Sequence, residues 1–524
     1  MKRILSVLLF VVLGSALLFS AGTKEKAESG KATNAQDQQL AAGGQPKHGG
    51  TLRVAIEAEP AGLDPDFIQS NLVAQTCDLI YDHLWRWDYE FKAFVPQVAE
   101  KWEWVDKTHF KIFVRRGMKF HNGREVKAED VKYSIERVLD PKVASPSAVY
   151  LKEIDSIQTD GEYSLTLNLK NPWYGIQEIL QRHAAIIPKE AVEKYGDLKA
   201  HPVGSGPFVL ESWEPGLQMT LKKFDGYWMK DKPYLDKIVL RFMPEYNTAK
   251  NALLSGEIDI ITWPDSADIE SLKANKDLKL WFYNVNAMMY VGINTKNKPL
   301  DNPKVRQAFA FATNRNAYND ALYRGLGTPA WTPIPISQPY YKKSWESAKN
   351  ITKAKQLLVE AGYPNGFKIR ILALKGPEEI MGEVLQSDLA AIGVQGEVTI
   401  AEIPIALDAI FSKQDFDLCV LGDVISPDPD LFLSNYMTPA GGAAGAAGRW
   451  DNARVKSLIQ LGRETYGMAE RVKIYQEAYD IIMDQVPMIF LVWPVRHPVS
   501  RNYVKGWFSW GDIRYDYASV WLDK

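Results

Sequence analysis

Among 524 residues there are only two cysteines, Cys77 and Cys419, and they form no CxxC pair. A disulfide framework and a thiolate zinc site are thereby excluded, because each needs cysteines in closely spaced sets. Two separate buried thiols are preferred to a single bridge. The histidines, at 48, 83, 109, 121, 183, 201 and 497, are scattered, and HExxH is absent. Metal ligation therefore has no motif. GxSxG is also missing, and VGSGPF at 203–208 lacks the spacing of a nucleophile elbow. A formal net charge of −2 supplies no basic field for nucleic acid. No catalytic residue, metal or cofactor is nominated. A secreted hydrolase and an envelope scaffold stand as the weaker classes of function.

Long hydrophobic runs are absent beyond the N-terminus. There, Lys2-Arg3 precede a 16-residue apolar run from Ile4 to Phe19, followed by Ser20-Ala21-Gly22. This is the layout of a secretory signal peptide over residues 1–22. The run is short for a membrane span, which needs about 20 residues. The protein is expected to be exported, to the periplasm or the outside of the cell envelope; an uncleaved signal would tether it there. Residues 23–49 are rich in Lys, Glu, Ala, Gln and Gly, cannot bury a core, and read as a flexible linker.

The rest has ordinary globular composition, 46% hydrophobic and 24% charged, and is long enough for two or three domains. TLRVAIE (51–57), HFKIFV (109–114), SLTLNL (164–169), MTLKKF (219–224), KIVLRFM (237–243) and MMYVGIN (288–294) read as strands. KAEDVKYSIERVL (127–139) has helical spacing, and helices are expected near 72–84 and 248–255. From about 300 the pattern alternates. Asp301-Asn302-Pro303 signals a helix start. Helix 351–362, strand FKIRILAL, helix 378–391, strand VQGEVTIAEI, a short helix at 405–411 and strand DFDLCVLG then form βαβαβ. That order implies parallel strands with crossover helices. Met468, Val472, Tyr475, Tyr479 and Ile482 mark one face of a long helix, and MIFLVWPV (488–495) a buried strand.

Several segments together resemble one family. GGTLRVA with EPAGLDP, FKIFVRRGMKFHNGREVKAEDVKYSIERVLDP (110–141), PVGSGPFVLESW (202–213), FDGYW (224–228), NKPLDNPKVRQAFAFATNR (297–315), AKQLLVEAGY (354–363) and IYQEAYDIIMDQVPMIFLVW (474–493) occur in the order found in extracytoplasmic solute-binding proteins of family 5. These are the dipeptide-, oligopeptide- and nickel-binding components of ABC importers. The resemblance covers residues 49–524. It implies an α/β, periplasmic-binding-protein-like fold of three lobes with mixed sheets and a hinged cleft between lobes. The expected lobes are 50–88 with 203–292 and 500–524 (discontinuous lobe I), 89–202 (lobe II) and 293–499 (lobe III). It also implies a monomer that is not an enzyme, captures a solute by lobe closure, and hands it to a membrane permease driven by an ATPase.

The stretch CVLGDVISPDPDLFL (419–433) holds three carboxylates. Asp428 is a good N-cap, Pro429 suits the first helical position, and Asp430 complements the helix dipole. Asp423 and Ile425 share one face of a strand end, a segment that lines the cleft in the family. Peptide-binding members usually carry an Asp at the position of Ile425, and dipeptide-binding members an Arg where this chain has Glu378-Glu379-Ile380-Met381. Both anchors are absent, which argues against a dipeptide held in the usual way, although Asp423 could substitute for the first. Trp263, Trp331 and Trp493 lie near expected cleft segments, where flat aromatics suit sugar rings or aromatic ligands; core packing is the plainer reading of each. Phe67, Gln69, Met289 and Asn294 complete the candidate ligand contacts. The expected ligand is an oligopeptide, with an oligosaccharide or opine-like compound as the alternative.

Overall fold

The computed structural model describes residues 44–68, 70–88, 93–336, 338–426, 428–440, 442–510 and 514–524. The expected signal peptide, most of the expected linker and Gln69 lie outside the described residues. No helix among the described residues is long and apolar enough to cross a membrane.

Three sheets organise the chain. In the first, Thr51–Ile56 runs parallel to Lys237–Phe242 on one side and to Ile260–Ile261 on the other. Antiparallel strands Gln218–Lys223 and Phe208–Glu214 extend one edge, and Val499–Arg501 with Leu278–Leu280 the other, giving seven strands. The second is a four-stranded antiparallel sheet in the order Ala99–Trp104, His109–Val114, Ser164–Leu169, Ile154–Thr159. Its two central strands bury every second residue, as their alternation demands, and the buried face of helix Ala128–Leu139 closes that core.

The third sheet has six strands in the order Thr328–Pro329, Met488–Trp493, Ala287–Ile293, Leu418–Val424, Lys368–Leu374, Gln395–Ala401. Lys368–Leu374 is parallel to both neighbours, as the βαβαβ pattern predicts. The chain leaves it first to one side and then to the other. Such a reversal opens a crevice at the carboxyl ends of the strands, and Asp423 stands at that end. Met488–Trp493 is buried throughout. Ala287–Ile293 is a central strand, flanked by Met488–Trp493 and Leu418–Val424.

Helix termini follow local chemistry. Asn302 and Asn350 cap Pro303–Ala312 and Ile351–Glu360 through their side chains. Gly256, at φ 81°, ends Tyr246–Ser255 in the left-handed region that glycine tolerates. Two expectations need correction. The helix expected over 72–84 stops at Cys77. The Leu79 and Ile80 carbonyls instead accept from Phe208 N (2.9 Å) and Gly206 N (2.8 Å). A Cβ at Gly204 would stand 2.1 Å from the Ile80 oxygen, so this close approach requires glycine. On helix Met468–Gln485, Tyr475, Tyr479 and Ile482 are buried, but Met468 is exposed because the first turn runs past the core. Cys77 and Cys419 are both free and buried.

Just after that shortened helix lies a buried ionic cluster. Asp78 Oδ1 accepts from Arg86 Nη2 (2.9 Å) and from Arg514 Nη1 (3.3 Å) near the C-terminus, and it sits 3.3 Å from His83 Nε2. Burial alone would raise the Asp78 pKa, but Arg514 and Arg86 hold it well below the usual carboxylate range. The same burial pushes His83 down to about 4, so it is neutral at pH 7. Asp78→Ala removes the carboxylate that these cations share. It is expected to cost about 3–5 kcal/mol, read as a lowered urea midpoint; an unchanged midpoint would show that the cluster is not holding the C-terminal segment.

Candidate ligand-binding cleft

Strand Leu418–Val424 pairs antiparallel with Ala287–Ile293, with Asp423 opposite Met288 and Gly422 opposite Met289. A Cβ at Gly422 would meet the Met289 sulfur at 2.7 Å, so glycine lets the thioether cross the strand. Beyond Val424 the chain turns into helix Pro429–Met437, whose first turn is capped by the Asp428 side chain on Asp430 N (2.9 Å). The helix returns Tyr436 over the strand end, and its hydroxyl donates to Asp423 Oδ2. Asp423 Oδ1 accepts from Val424 N at 2.8 Å. The Asp423 carboxylate opens to the cleft but has protein on its other sides. That desolvation raises its pKa, against the pull of Tyr436, the Val424 N–H and Arg182.

Asp423 lines three cavities. The first, of about 680 Å³, is bounded by Asn71, Glu178, Arg182, Tyr150, Phe432 and Arg514, among others. The second, of about 500 Å³, is bounded by Trp263, Met289, Tyr323, Arg496 and His497 and shares Asn71, Asp423 and Val424 with the first. A third, of about 740 Å³, continues past Tyr150 and Tyr436 on the other side. Each lies within the roughly 300–1,000 Å³ usual for small-molecule sites.

Helix Ile176–His183 supplies the polar wall of the first cavity. Glu178 and Arg182, four apart, share one face. Glu178 is buried and accepts from Trp87 Nε1. Burial pushes its pKa up to about 8, with Asp428 adding to the shift, so it is mostly protonated at pH 7. The His183 ring stacks on Tyr150 at 4.5 Å, and its Nδ1 lies 2.9 Å from Ser147 Oγ. Burial holds it well below the ordinary histidine value, so it is neutral.

Of the candidate contacts, Asp423, Ile425, Trp263 and Met289 reach the first two cavities. Ile425 is nonetheless only 3% exposed and packs with Phe432 and Leu433, so it is wall more than contact. The other described candidates lie elsewhere. Phe67 sits beneath Lys199 Nζ, 4.5 Å from its ring centre, while its neighbour Ile68 lines the cavity. Asn294 is fully buried at the far end of its strand and donates to the Gln414 carbonyl at 3.2 Å. Trp331 bonds Ser347 O at 2.9 Å and borders a separate cavity of about 350 Å³. Trp493 is buried against Tyr341 at 6.2 Å. Sequence reasoning missed Glu178, Arg182, Tyr436 and Arg496. Arg496 carried a signal, being a charge set in the apolar run MIFLVWPVRHPV.

Residues 93–444, more than half of the chain, match the model of the bacterial extracellular solute-binding proteins, family 5. The chain belongs to that family. It is 28% identical over 497 residues to the dipeptide-binding protein of Escherichia coli (strain K12), covering 87% of this chain and 92% of the relative. The structure of DppA from Helicobacter pylori in complex with the peptide STSA is similar at TM-score 0.76 and 25% identity, covering 94% of this chain and all of that one. AgaA from A. tumefaciens R10, solved in complex with agropinic acid, is similar at TM-score 0.74 and 29% identity, over 91% and 99% of the two chains. These relatives are binding proteins rather than enzymes, and the family is extracellular.

The raised Glu178 pKa fixes the sign of a pH effect. Between its ordinary value of 4.5 and about 8 the folded state holds this proton more tightly than the unfolded chain does. The group's contribution to stability is therefore full below about 4.5 and is lost as pH rises toward 8. Glu178→Gln stays neutral. It should melt close to wild type at low pH and be more stable by on the order of a few kcal/mol above about pH 9. Parallel melting curves across that range would show that Glu178 titrates normally.

Proposed function

We propose that this protein is the solute receptor of an ABC importer, and that it captures an oligopeptide in the cleft around Asp423 and delivers it to the membrane permease. The observation that carries the reading is Asp423 itself: a carboxylate at the carboxyl end of a sheet strand, lining every cavity of the cleft and positioned by Tyr436 rather than by a salt bridge. Such a group suits a ligand ammonium such as a peptide N-terminus. It stands two residues before the position where peptide-binding relatives usually place their acid.

Capture by closure is supported by the origin of the walls. Glu178 and Arg182 follow the four-stranded sheet in the chain, whereas Asp423 and Tyr436 belong to the six-stranded sheet and its following helix. A ligand touching both favours the arrangement in which they face each other, and its differential affinity is the only free energy available for closure. The relatives that bind a dipeptide and the peptide STSA support the peptide reading. An opine-like ligand is the second reading, favoured by the likeness to AgaA. The oligosaccharide reading loses support because, of Trp263, Trp331 and Trp493, only Trp263 lines either of the first two cavities.

Asp423→Asn should weaken binding of a peptide with a free N-terminus about 10- to 100-fold, the range for one hydrogen bond to a charged group. Isothermal titration calorimetry reads this directly. N-acetylation of the peptide should cost wild type a similar factor and the variant little more. Affinity indifferent to both changes would remove Asp423 from ligand recognition.

A further inference from the structure

The geometry points to a ligand that carries two anionic groups besides its ammonium, one read by Arg182 and the other by Arg496, such as a short acidic peptide. This deepens the reading of the cleft as a peptide receptor and rests on it.

Most of the charges in the first two cavities are already neutralised or paired. Arg514 shares the buried carboxylate of Asp78. His183 and His497 are both held below the ordinary histidine value by burial, and Glu178 keeps its proton. Glu378 stands behind Gly422 and lines neither cavity. What remains is Asp423 in the shared wall and an arginine on either side. Arg182 lines the first cavity and Arg496 the second. Both are half-buried. Among the described residues neither guanidinium makes a hydrogen bond or an ion pair, unlike the inward-facing Arg86, Arg137, Arg463 and Arg471, each of which holds a carboxylate.

An arginine cannot shed its proton to escape a poorly solvated site. A half-buried guanidinium without a partner is thus left with unfilled donors and a partly desolvated charge. Its planar fork matches a carboxylate with two parallel hydrogen bonds. Two such forks flanking one carboxylate give the cleft an excess of positive charge, which a ligand of net charge −1 complements. A dipeptide with neutral side chains offers an ammonium and a single carboxylate and leaves one fork empty. A peptide with an added Glu or Asp side chain fills both.

Calorimetry with Ala-Glu-Ala, Ala-Gln-Ala and Ala-Lys-Ala at neutral pH tests this. The Glu peptide should bind at least 10-fold tighter than the Gln peptide, and the Lys peptide weakest. One of Arg182→Gln and Arg496→Gln should weaken all three alike, an effect that vanishes when the peptides are C-terminally amidated. The other should remove only the preference for Glu over Gln. Arg182→Lys and Arg496→Lys, which keep the charge and lose the fork, should retain part of the preference and control for folding. Equal binding of the Glu and Gln peptides, or a preference that survives both glutamine substitutions, overturns the two-anion reading while leaving a peptide receptor. Failure of all three to bind a protein that melts cooperatively overturns the peptide reading and this inference with it.

Discussion

The cleft depends on one buried carboxylate, Asp430, which has no exposed surface. It accepts from Trp173 Nε1 at 2.7 Å, from Arg463 Nε at 2.8 Å and from the Ser434 hydroxyl at 3.2 Å. Burial raises its pKa, and Arg463 opposes the rise. Trp173 follows the four-stranded sheet in the chain and Arg463 ends a helix that packs beside the six-stranded one, so the carboxylate ties two regions at a single point. The fit is close: a Cβ at Gly175 would stand 2.8 Å from Trp173 Nε1 and 3.4 Å from Asp430 Oδ2. With the first turn of Pro429–Met437 pinned in this way, Phe432 and Tyr436 stack on each other at 4.7 Å, and Tyr436 reaches Asp423. The cavity-lining acid is therefore placed by a second acid that lines none of the three cavities.

This division of labour among the carboxylates of the 419–433 stretch shows what can be read from sequence. Asp428 was legible as a cap because capping is local: its side chain meets a backbone N–H two residues on. Its pairing with Arg471 at 2.9 Å was not legible, since the partner lies 43 positions away. Asp430 invited the same local reading through the helix dipole, yet its decisive partners are remote. The βαβαβ order and the burial of 488–493 followed from periodicity, which reports one element at a time. The arginines of the cleft escaped for a stronger reason. What distinguishes Arg182 from Arg463 is not its residue type or helical setting but that, among the described residues, no carboxylate reaches ion-pair distance of it as Asp430 does of Arg463, a property of the assembled fold alone.

The tryptophans carry the complementary lesson. Proximity to cleft segments singled out Trp263, Trp331 and Trp493, and only the first of them lines a cavity around Asp423. Trp331 and Trp493 sit with their rings against protein, near Arg315 at 5.5 Å and Tyr341 at 6.2 Å respectively. Large aromatic rings gain more from burial than almost any other side chain, so a strand-end tryptophan goes inward by default. A charged residue in the same setting has the opposite preference and turns toward the solvent-filled space, as Arg496 does three residues beyond Trp493.

That contrast bears on how binding and closure are coupled. A cleft whose charges are all satisfied internally gains little from closing on a ligand, because the new contacts replace existing ones. Here the acid is held only by a hydroxyl and a backbone N–H, and the flanking arginines hold nothing among the described residues. Closing such a cleft while empty would strip water from these charges without giving the guanidinium donors hydrogen-bond partners, so the empty closed form is disfavoured. A ligand of opposite charge pattern removes the penalty and adds charge-assisted hydrogen bonds in the same step. In the proposed receptor, unpaired charges lining the cleft, with paired charges such as Asp430 and Arg463 behind them, would separate two tasks: the buried pairs hold the walls in register, and the unpaired groups make closure conditional on the solute.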